Sequence, residues 1–577
     1  MSNDSGYLWI YPQINSRWTN AIVDEFNIHP LLAQILTSRG FTELDKIHDY
    51  LYFSLRDLLD PYLLADMGKA VERVLKMLEN DESILIYADN DVDGMTGAAL
   101  LVGFLGELGA NVHYYIPDSG SSRQDIIVNA LEYAKKHECK LFVTVDCGIT
   151  AADEVEHIIN NNIDVIVTDH HEPIDSLPNC VATLNPKLID SSYPNKELTG
   201  VGVAFKLAHA VTKELLKRKL IKRDKIDLKQ YLDLVALGTI SDMGELLDEN
   251  RCLVSYGLRE LRKGSRIGLK KLFQVCATNE ADVNANVIST KVAPRLNSLG
   301  RIATPRKGVE LLLIRDDAEL AEEMALDFDL LNTKRQKIER EIQEDIDRRF
   351  KKDSSLLGDR AIVLASENWH PGVIASTTTR LSKNYNRPTV VISIKDGVGK
   401  GSIRSIKEFP LLQHLKSMSG ILSTFGGHNF AAGVVLPEEN IAEFKRRFIS
   451  SANDALEEQD VISKLRIDAN IDFRDLTFDF MDSLSLLEPY GNANPQPVFY
   501  CNVKQAWAPK VLSKRHLKLY LEQDGRMLEG IGFGMAERIL MLKKKNITLR
   551  IAFTPQINNF QDKPSIQLLI RDFKIIG

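Results

Sequence analysis

The sequence predicts an α/β protein in which a parallel-sheet domain is joined by a long helix to a smaller α/β domain, with an all-β unit at the C-terminus. Three observations carry this. Between about residues 80 and 190, short runs rich in Ile, Val, Leu and Tyr alternate with helix-length segments, the mark of βαβ units in a parallel sheet. Residues 318–350 keep an apolar stripe at spacings of about four (Leu331, Ile338, Ile342, Ile346, Phe350) amid dense charge, which reads as a solvated connecting helix. From about residue 498 the pattern becomes alternating, with Leu517, Leu519 and Leu521 on one strand face before a turn at Asp524-Gly525.

Taken in order, residues 1 to about 75 read as helices and loops. The strands of the first unit fall at Ile84–Tyr87, Val112–Ile116, Leu141–Val145, Val165–Val167 and Val181–Leu184. Their near-continuous apolar character suits strands buried on both faces. Residues 198–350 read mainly helical, with turns at Lys263-Gly264 and Leu299-Gly300. A second α/β unit opens with strands at Ala361–Ala365 and Thr389–Ser393. Further strands around Leu549–Phe553 and Ile566–Ile570 complete a small all-β barrel or sandwich. With 577 residues, about four domains are expected at roughly 150 residues each.

Composition narrows the class. The N-terminus lacks a basic stretch leading into an apolar core, and no apolar run approaches the ~20 residues that cross a bilayer. The six cysteines are scattered without a close pair, giving neither a disulfide framework nor a zinc motif. A soluble, cytoplasmic protein with no membrane association is expected. The net charge of −7 argues at first against a nucleic-acid partner, but it averages unlike parts. Residues 501–577 hold 14 basic and 6 acidic residues, a surplus of eight, so the remainder carries −15. Within that basic segment, Lys504, Lys510, Lys514, Arg515 and Lys518 lie close to Trp507, His516 and Tyr520. Aromatic platforms beside basic grooves hold single strands.

Acidic and imidazole residues gather at the ends of the expected strands. The first runs into Ala88-Asp89-Asn90-Asp91-Val92-Asp93-Gly94, the third into Asp146-Cys147-Gly148, and the fourth into Asp169-His170-His171; Asp242 follows the apolar run Leu234–Ile240. Ligands bind outside the carboxyl ends of strands in an open parallel sheet, so these segments should converge. So many carboxylates together require cations, and oxygen and nitrogen donors without thiolates suit Mn²⁺ or Mg²⁺. Two ions would supply +4 against Asp89, Asp91, Asp93, Asp146 and Asp242, an arrangement that serves displacement at phosphorus.

Competing motifs are weaker. Asp89–Gly94 opens like an EF-hand loop, but its twelfth position is Leu100, where a bidentate Glu is required. Gly397-Val398-Gly399-Lys400-Gly401-Ser402 resembles a phosphate loop, except that Gly401 follows the lysine. Gly200-Val201-Gly202 lacks a preceding strand and a third glycine.

The set Asp89–Gly94, Asp146-Cys147-Gly148, Asp169-His170-His171 and Asp242 resembles the four signature motifs of the DHH phosphoesterase superfamily. The remaining segments resemble its bacterial single-strand-specific 5′→3′ DNA exonucleases. They are Leu198–Phe205, Ala293–Asn297 with Gly300-Arg301, Trp369–Gly372, Gly399–Ser402, Arg404-Ser405, Phe425–His428, Ala431–Gly433 and Pro489–Gly491.

The resemblance implies an N-terminal helical segment (1–75), a DHH catalytic domain (76–315), a connecting helix (316–355), a DHH-associated domain (356–460) and a C-terminal OB fold (461–577). Asp89, Asp91, Asp93, Asp146, His170 and Asp242 would hold the two ions. His171 would sit beside the scissile phosphate, with Asp169 orienting a histidine. Arg295, Asn297 and Arg301 would contact phosphates near the scissile bond, Arg301 as a catalytic residue. Ser402 and Arg404 would hold the 5′ end, facing His428 with Gly426 and Gly427. In the OB fold, Trp507, Lys510, Lys514, Arg515 and Tyr520 would bind DNA.

The family usually carries Ile-Pro-x-Arg and then Glu/Asp-Gly-Tyr-Gly after the second strand. Here Ile116-Pro117 leads into Asp118-Ser119-Gly120-Ser121-Ser122-Arg123-Gln124-Asp125, so the expected arginine falls on Ser119. An intact metal site with altered 5′-end handling is expected. The chain is thus expected to be a metal-dependent exonuclease degrading single-stranded DNA 5′→3′ to 5′ mononucleotides in recombination and repair. A monomer working with a helicase and a single-strand-binding protein is implied. The alternatives are a DHH phosphodiesterase on short oligonucleotides or cyclic dinucleotides, and a non-catalytic single-strand-binding relative.

Overall fold

The computed structural model describes residues 6–118, 123–173, 176–542, 547–558 and 563–576; Ser119–Ser122 of the altered segment lie outside the described residues. The chain divides into two units, one of residues 49–335 with 488–495 and the other of residues 1–48, 336–487 and 496–577. The first strand, β1 (Leu8–Ile10), belongs to the second unit and interrupts the helices and loops expected of the N-terminal segment.

The first unit is built on a sheet of β2 (Ser83–Ala88), β3 (Val112–Tyr115), β4 (Cys139–Val145), β5 (Asp164–Thr168) and β6 (Ala182–Leu184). All pairings are parallel, in the order β3-β2-β4-β5-β6. Alternate residues of β4 enter different cores. Leu141, Val143 and Val145 pack with the helices Val92–Glu107 and Gly200–Lys217, while Phe142 packs with the helices Arg123–Lys136 and Ala152–Ile159. Burial on both faces explains the unbroken apolar runs. Strand order reverses between β2 and β4, and the crevice at such a switch point is where ligands bind.

Two turn expectations separate here. Gly264 ends the helix Asp248–Lys263 in the left-handed conformation, as its sequence position implied. Leu299-Gly300 is no turn, because both residues lie within the helix Ala293–Ile302. Gly300 is there because Asn90 O would stand 2.2 Å from any Cβ.

In the second unit, β7 (Ile362–Ser366), β8 (Thr389–Lys395), β9 (Val398–Arg404), β10 (Thr424–Gly427) and β11 (Ala431–Pro437) form a mixed sheet in the order β10-β11-β9-β8-β7. Only β7 and β8 pair in parallel. The glycine-rich segment 397–402 is therefore the start of a hairpin strand rather than a phosphate loop, turning at Asp396 (φ 52°) and Gly397 (φ 74°). The helices Ile374–Tyr385 and Ile441–Ala455 line its two cores. The long helix runs Ala318–Lys352, about 52 Å at 1.5 Å per residue. Its Ala325 and Phe328 enter the core of the first unit, and Ile342, Ile346 and Phe350 enter that of the second.

The rest of this unit contains β12 (Lys464–Arg466), β13 (Ala469–Asn470), β14 (Phe499–Leu512), β15 (His516–Gln523), β16 (Arg526–Gly532), β17 (Thr548–Asn558) and β18 (Ser565–Ile575). Strands β14, β15, β16, β18 and β17 pair in that order, and β17 closes back onto β14. This closed five-stranded barrel matches an OB fold. Asp524 and Gly525, both at positive φ, form the expected β15–β16 turn. Among the described residues no helix is long and apolar enough to cross a membrane.

Candidate active site

The carboxylates are placed by the ends of β2, β4 and β5. After β2, Asp91 caps the helix Val92–Glu107, its Oδ1 accepting from the backbone N–H of Asp93 (2.9 Å) and Gly94 (3.1 Å). Asp93 is buried, and its two oxygens accept from Gly200 N (2.6 Å) and Val201 N (3.0 Å). Gly200-Val201 thus opens the helix Gly200–Lys217, and its N-terminus meets a carboxylate rather than a dinucleotide. The approach is tight: a Cβ on Gly200 would stand 2.5 Å from Asp146 Cβ.

Asp146, immediately after β4, adopts φ 61° and is 2% exposed. Its Oδ1 is buried and accepts no well-aligned hydrogen bond; His170 Nε2 lies 3.0 Å away. The same imidazole nitrogen is 3.6 Å from Asp242 Oδ2, where Asp242 ends the helix Leu232–Ser241. After β5, Asp169 is 1% exposed. It gathers the backbone N–H groups of Ile149 (2.9 Å), His170 (2.7 Å) and His171 (3.1 Å), and lies 2.7 Å from His171 Nδ1.

Three overlapping sets result, each with ligand atoms within 4.8 Å: Asp89 with Asp91 and Asp146; Asp146 with His170 and His171; Asp93 with His170 and Asp242. The six residues expected to hold metal thus converge with His171. Their electrostatics follow from this crowding. Burial and then Asp91 raise Asp89 to about 6, and burial and Asp91 raise Asp242 to about 7. Burial and neighbouring carboxylates push Asp93 and Asp146 well above the usual range. At Asp169 burial is outweighed by the hydrogen bonds and charge of His171 and by backbone N–H groups, so it stays below its ordinary value. The hydrogen bond to Asp169 lifts His171 to about 9.

Such a cluster suits divalent cations. Cys147 Sγ is directed to Val145 O at 3.4 Å, which leaves an oxygen and nitrogen donor set of the kind Mn²⁺ and Mg²⁺ prefer. The buried, unbonded Asp146 Oδ1 supplies a ligand atom at the centre.

Family models match in chain order: the N-terminal domain of the DHH family over residues 83–239, the DHHA1 domain over 358–454 and the RecJ OB domain over 467–572. The single-stranded-DNA-specific exonuclease RecJ of Bacillus subtilis is 34% identical over 559 residues, covering 96% of this chain and 69% of the relative. That of Dickeya dadantii is 33% identical, covering 94% and 95%. The chain belongs to the RecJ family. RecJ of Escherichia coli is 30% identical over 94% of this chain and 95% of its own. The crystal structure of RecJ from Thermus thermophilus in complex with Mn²⁺ superposes with a TM-score of 0.82 at 27% identity, covering 98% of this chain and 79% of that one. The Mg²⁺ complex gives 0.75 at 26% identity, covering 98% and 78%.

Other residues singled out by resemblance to RecJ fall as follows. Arg295 is bound to Asp329 of the long helix (Nε–Oδ1 2.8 Å) and to Lys291 O (2.6 Å), so its guanidinium braces two helices. Asn297 and Arg301 lie on the same helix, whose last turn abuts Asn90 through Gly300. In the second unit, Ser402 on β9 registers with Gly433 on β11, and Gly433 with Gly426 on β10; Arg404 registers with Ala431. Gly427 adopts φ 135°, and His428 N donates to Ala431 O at 2.7 Å. One sheet end thereby gathers Ser402, Arg404, Gly426, Gly427 and His428. On the barrel, Trp507 is 57% exposed with its ring 5.3 Å from Tyr520. Lys510 lies over Tyr520 at 5.7 Å, and Lys514 with Arg515 occupies the β14–β15 turn.

Sequence reasoning missed Asn185 and Thr144. Asn185 is fully buried, and its Nδ2 donates to His171 O (2.9 Å), fixing the histidine turn. Thr144 Oγ1 donates to Cys147 O (2.7 Å), fixing the turn that carries Asp146. The Asn185-Pro186 step after β6 was the available signal for the first. A hydroxyl inside an apolar strand was the signal for the second.

Proposed function

We propose that this chain is a divalent-metal-dependent exonuclease that degrades single-stranded DNA from the 5′ end to 5′ mononucleotides in recombination and repair. The observation that carries the reading is the convergence of Asp89, Asp91, Asp93, Asp146, His170 and Asp242 around the unbonded Asp146 Oδ1, in a chain whose relatives are single-stranded-DNA-specific exonucleases. These six residues would hold two Mn²⁺ or Mg²⁺ ions, which when bound activate water and stabilise charge at phosphorus. His171, oriented by Asp169 through the 2.7 Å contact at Nδ1, would stand beside the carboxylates to receive a phosphate oxygen. Asp169 is a positioning residue, because its bonds fix the histidine turn. Arg301 stands on the helix turn nearest the Asp89–Asp91 loop and would neutralise the phosphate. Asn297 would hold an adjacent phosphate, with Arg295 bracing their helix against Asp329 rather than reaching a phosphate itself, and Ser402, Arg404, Gly426, Gly427 and His428 would hold the 5′ end.

The division into 1–75, 76–315, 316–355, 356–460 and 461–577 belongs to this reading, supported by the three family-model spans. Trp507, Tyr520, Lys510, Lys514 and Arg515 would hold the strand on the barrel. A cytoplasmic monomer, acting with a helicase and a single-strand-binding protein, completes it. Digestion of end-labelled single- and double-stranded DNA with Mn²⁺, Mg²⁺ or EDTA tests the whole. Metal-dependent release of mononucleotides from single strands is expected. Activity in EDTA, or equal attack on blunt duplex, would overturn it.

A further inference from the structure

The two-stranded parallel sheet of β1 and β12 has two unlike faces. On one, Trp9 and the partner Leu465 join Ile467 and Ala552 in a core against the barrel. On the other, Leu8 pairs with Lys464 and Ile10 with Arg466, and all four are exposed. This second face borders a groove of about 900 Å³. Tyr11, Trp18 and Phe41 bring aromatic rings to it, Lys464 and Arg466 bring its charges, and its lining holds no acidic residue. Just outside the lining, Asp468 lies 3.4 Å from Ser38 Oγ and is paired with Arg39 at 3.2 Å. Lys464 Nζ meets Glu408 at 3.0 Å and Arg466 donates to Ser38 O.

The groove continues onto the barrel. The ring of Tyr11 lies 5.1 Å from that of Tyr500 in an edge contact, and Arg550 stands over Tyr500 at 5.9 Å. Tyr500 and Arg550 are on β14 and β17, whereas Trp507 and Tyr520 on β14 and β15 form the platform already described. An OB fold takes its ligand on the second and third strands and the adjoining loops, so the path through Tyr11 and Tyr500 is separate.

Rings and cations in a lining that itself holds no carboxylate fit a ligand with flat faces and a repeating negative charge. We propose that the groove between β1, β12 and the helices Ser16–Phe26 and Pro30–Ser38 is a second binding track for single-stranded DNA, which engages strands longer than the barrel platform and the catalytic cluster need. The inference rests on single-stranded DNA being the substrate, so its test separates the two readings.

Fluorescent oligothymidylates of about 10 and 40 nucleotides are titrated against the full chain in EDTA over a range of salt, and the 10-mer is hydrolysed in parallel with Mn²⁺. The chain should bind the 40-mer more tightly than the 10-mer. Removing both charges by Lys464→Gln with Arg466→Gln should lower 40-mer affinity several-fold and reduce the slope of log K against log salt by about 1.4, at ~0.7 per phosphate contact. Hydrolysis of the 10-mer should be unchanged. The charge-keeping pair Lys464→Arg with Arg466→Lys should restore the slope. In the unsubstituted chain, a 40-mer carrying 4-thiothymidine should photocross-link to the segment containing Tyr11 and Trp18. An unchanged salt slope, with no cross-link to that segment, overturns the proposal. Absence of 10-mer hydrolysis by the unsubstituted chain overturns the catalytic reading instead.

Discussion

Asp169 Oδ1 lies 2.7 Å from His171 Nδ1 while the same oxygen accepts the backbone N–H groups of His170 and His171. One buried carboxylate therefore sets the ring orientation of one histidine, its charge, and the turn that carries both. Asp169→Asn keeps the shape but removes the charge. The His171 ring should then titrate closer to its ordinary value than to about 9, as followed by NMR of the metal-free protein. Activity should fall about 10- to 100-fold, the usual cost of losing a partner of this kind. An unmoved His171 titration would contradict the assignment.

Asp146 belongs to two of the three ligand sets and is packed against Gly200. Asp146→Asn should abolish Mn²⁺ binding in calorimetry along with nuclease activity. Gly200→Ala is a harder test of geometry, because the added methyl would stand 2.5 Å from Asp146 Cβ and 2.7 Å from its Oδ1. It should weaken Mn²⁺ binding and cost about 1–3 kcal/mol of stability by overpacking, both absent if the helix start were merely a surface cap.

The sheet and the convergence of acidic and imidazole residues were legible in the sequence because both follow from strand ends. Apolar runs mark the buried strands, and the residue after each run falls at the carboxyl edge, where Asp89, Asp146 and Asp169 appear. Strand β9 was not legible: Gly399, Gly401 and the lysine between them look like a loop. Each glycine is there for packing, since a Cβ on Gly401 would stand 2.7 Å from Val434 and one on Gly399 3.1 Å from Ile392. Gly300 misled for the same reason, its clash with Asn90 O being a long-range fact. Arg295 has an acidic partner 34 positions away, a distance at which no local pattern operates.

Without metal, Asp89 and Asp242 hold protons to about pH 6 and 7, whereas in the unfolded chain they lose them near 3.8. Between roughly pH 4 and 7 the folded state thus binds more protons, and stability falls as pH rises through that window. The metal-free protein should melt at a higher temperature at pH 5.5 than these groups allow at pH 7.5. Mn²⁺ binds the ionised form, so its stabilising effect should be larger at pH 7.5 than at 5.5. Paired thermal melts at the two pH values, with and without Mn²⁺, check both signs.

Lys206 follows the Leu198–Phe205 motif and is wholly buried. Its Nζ donates to Leu59 O (2.8 Å) and to Glu249, which also accepts from Leu59 N (2.9 Å) and Tyr193 OH. Lys206→Met leaves the carboxylate buried without its cation, and should cost about 3–5 kcal/mol in denaturant unfolding. The double variant Lys206→Met with Glu249→Leu should recover part of that loss. A neutral single variant would mean that water reaches Glu249.

The segment Ser119–Asp125 stands where the resemblance leads one to expect an arginine at the 5′ phosphate. The residues proposed to hold metal are all present, so chemistry at phosphorus should proceed; on this reading what changes is the grip on the terminal phosphate, which would be left to Ser402 and Arg404. Loss of one charge-assisted contact of about 1.5–3 kcal/mol removes roughly 10- to 100-fold of discrimination. The chain should therefore degrade 5′-phosphorylated and 5′-hydroxyl single strands at rates within a few-fold of each other, measured on 3′-labelled oligonucleotides with Mn²⁺. Ser119→Arg should raise the preference for the phosphorylated strand. A strong preference in the unsubstituted chain would show that another cation has taken the arginine's place, and Arg123, four residues on, is the first to replace by Ala.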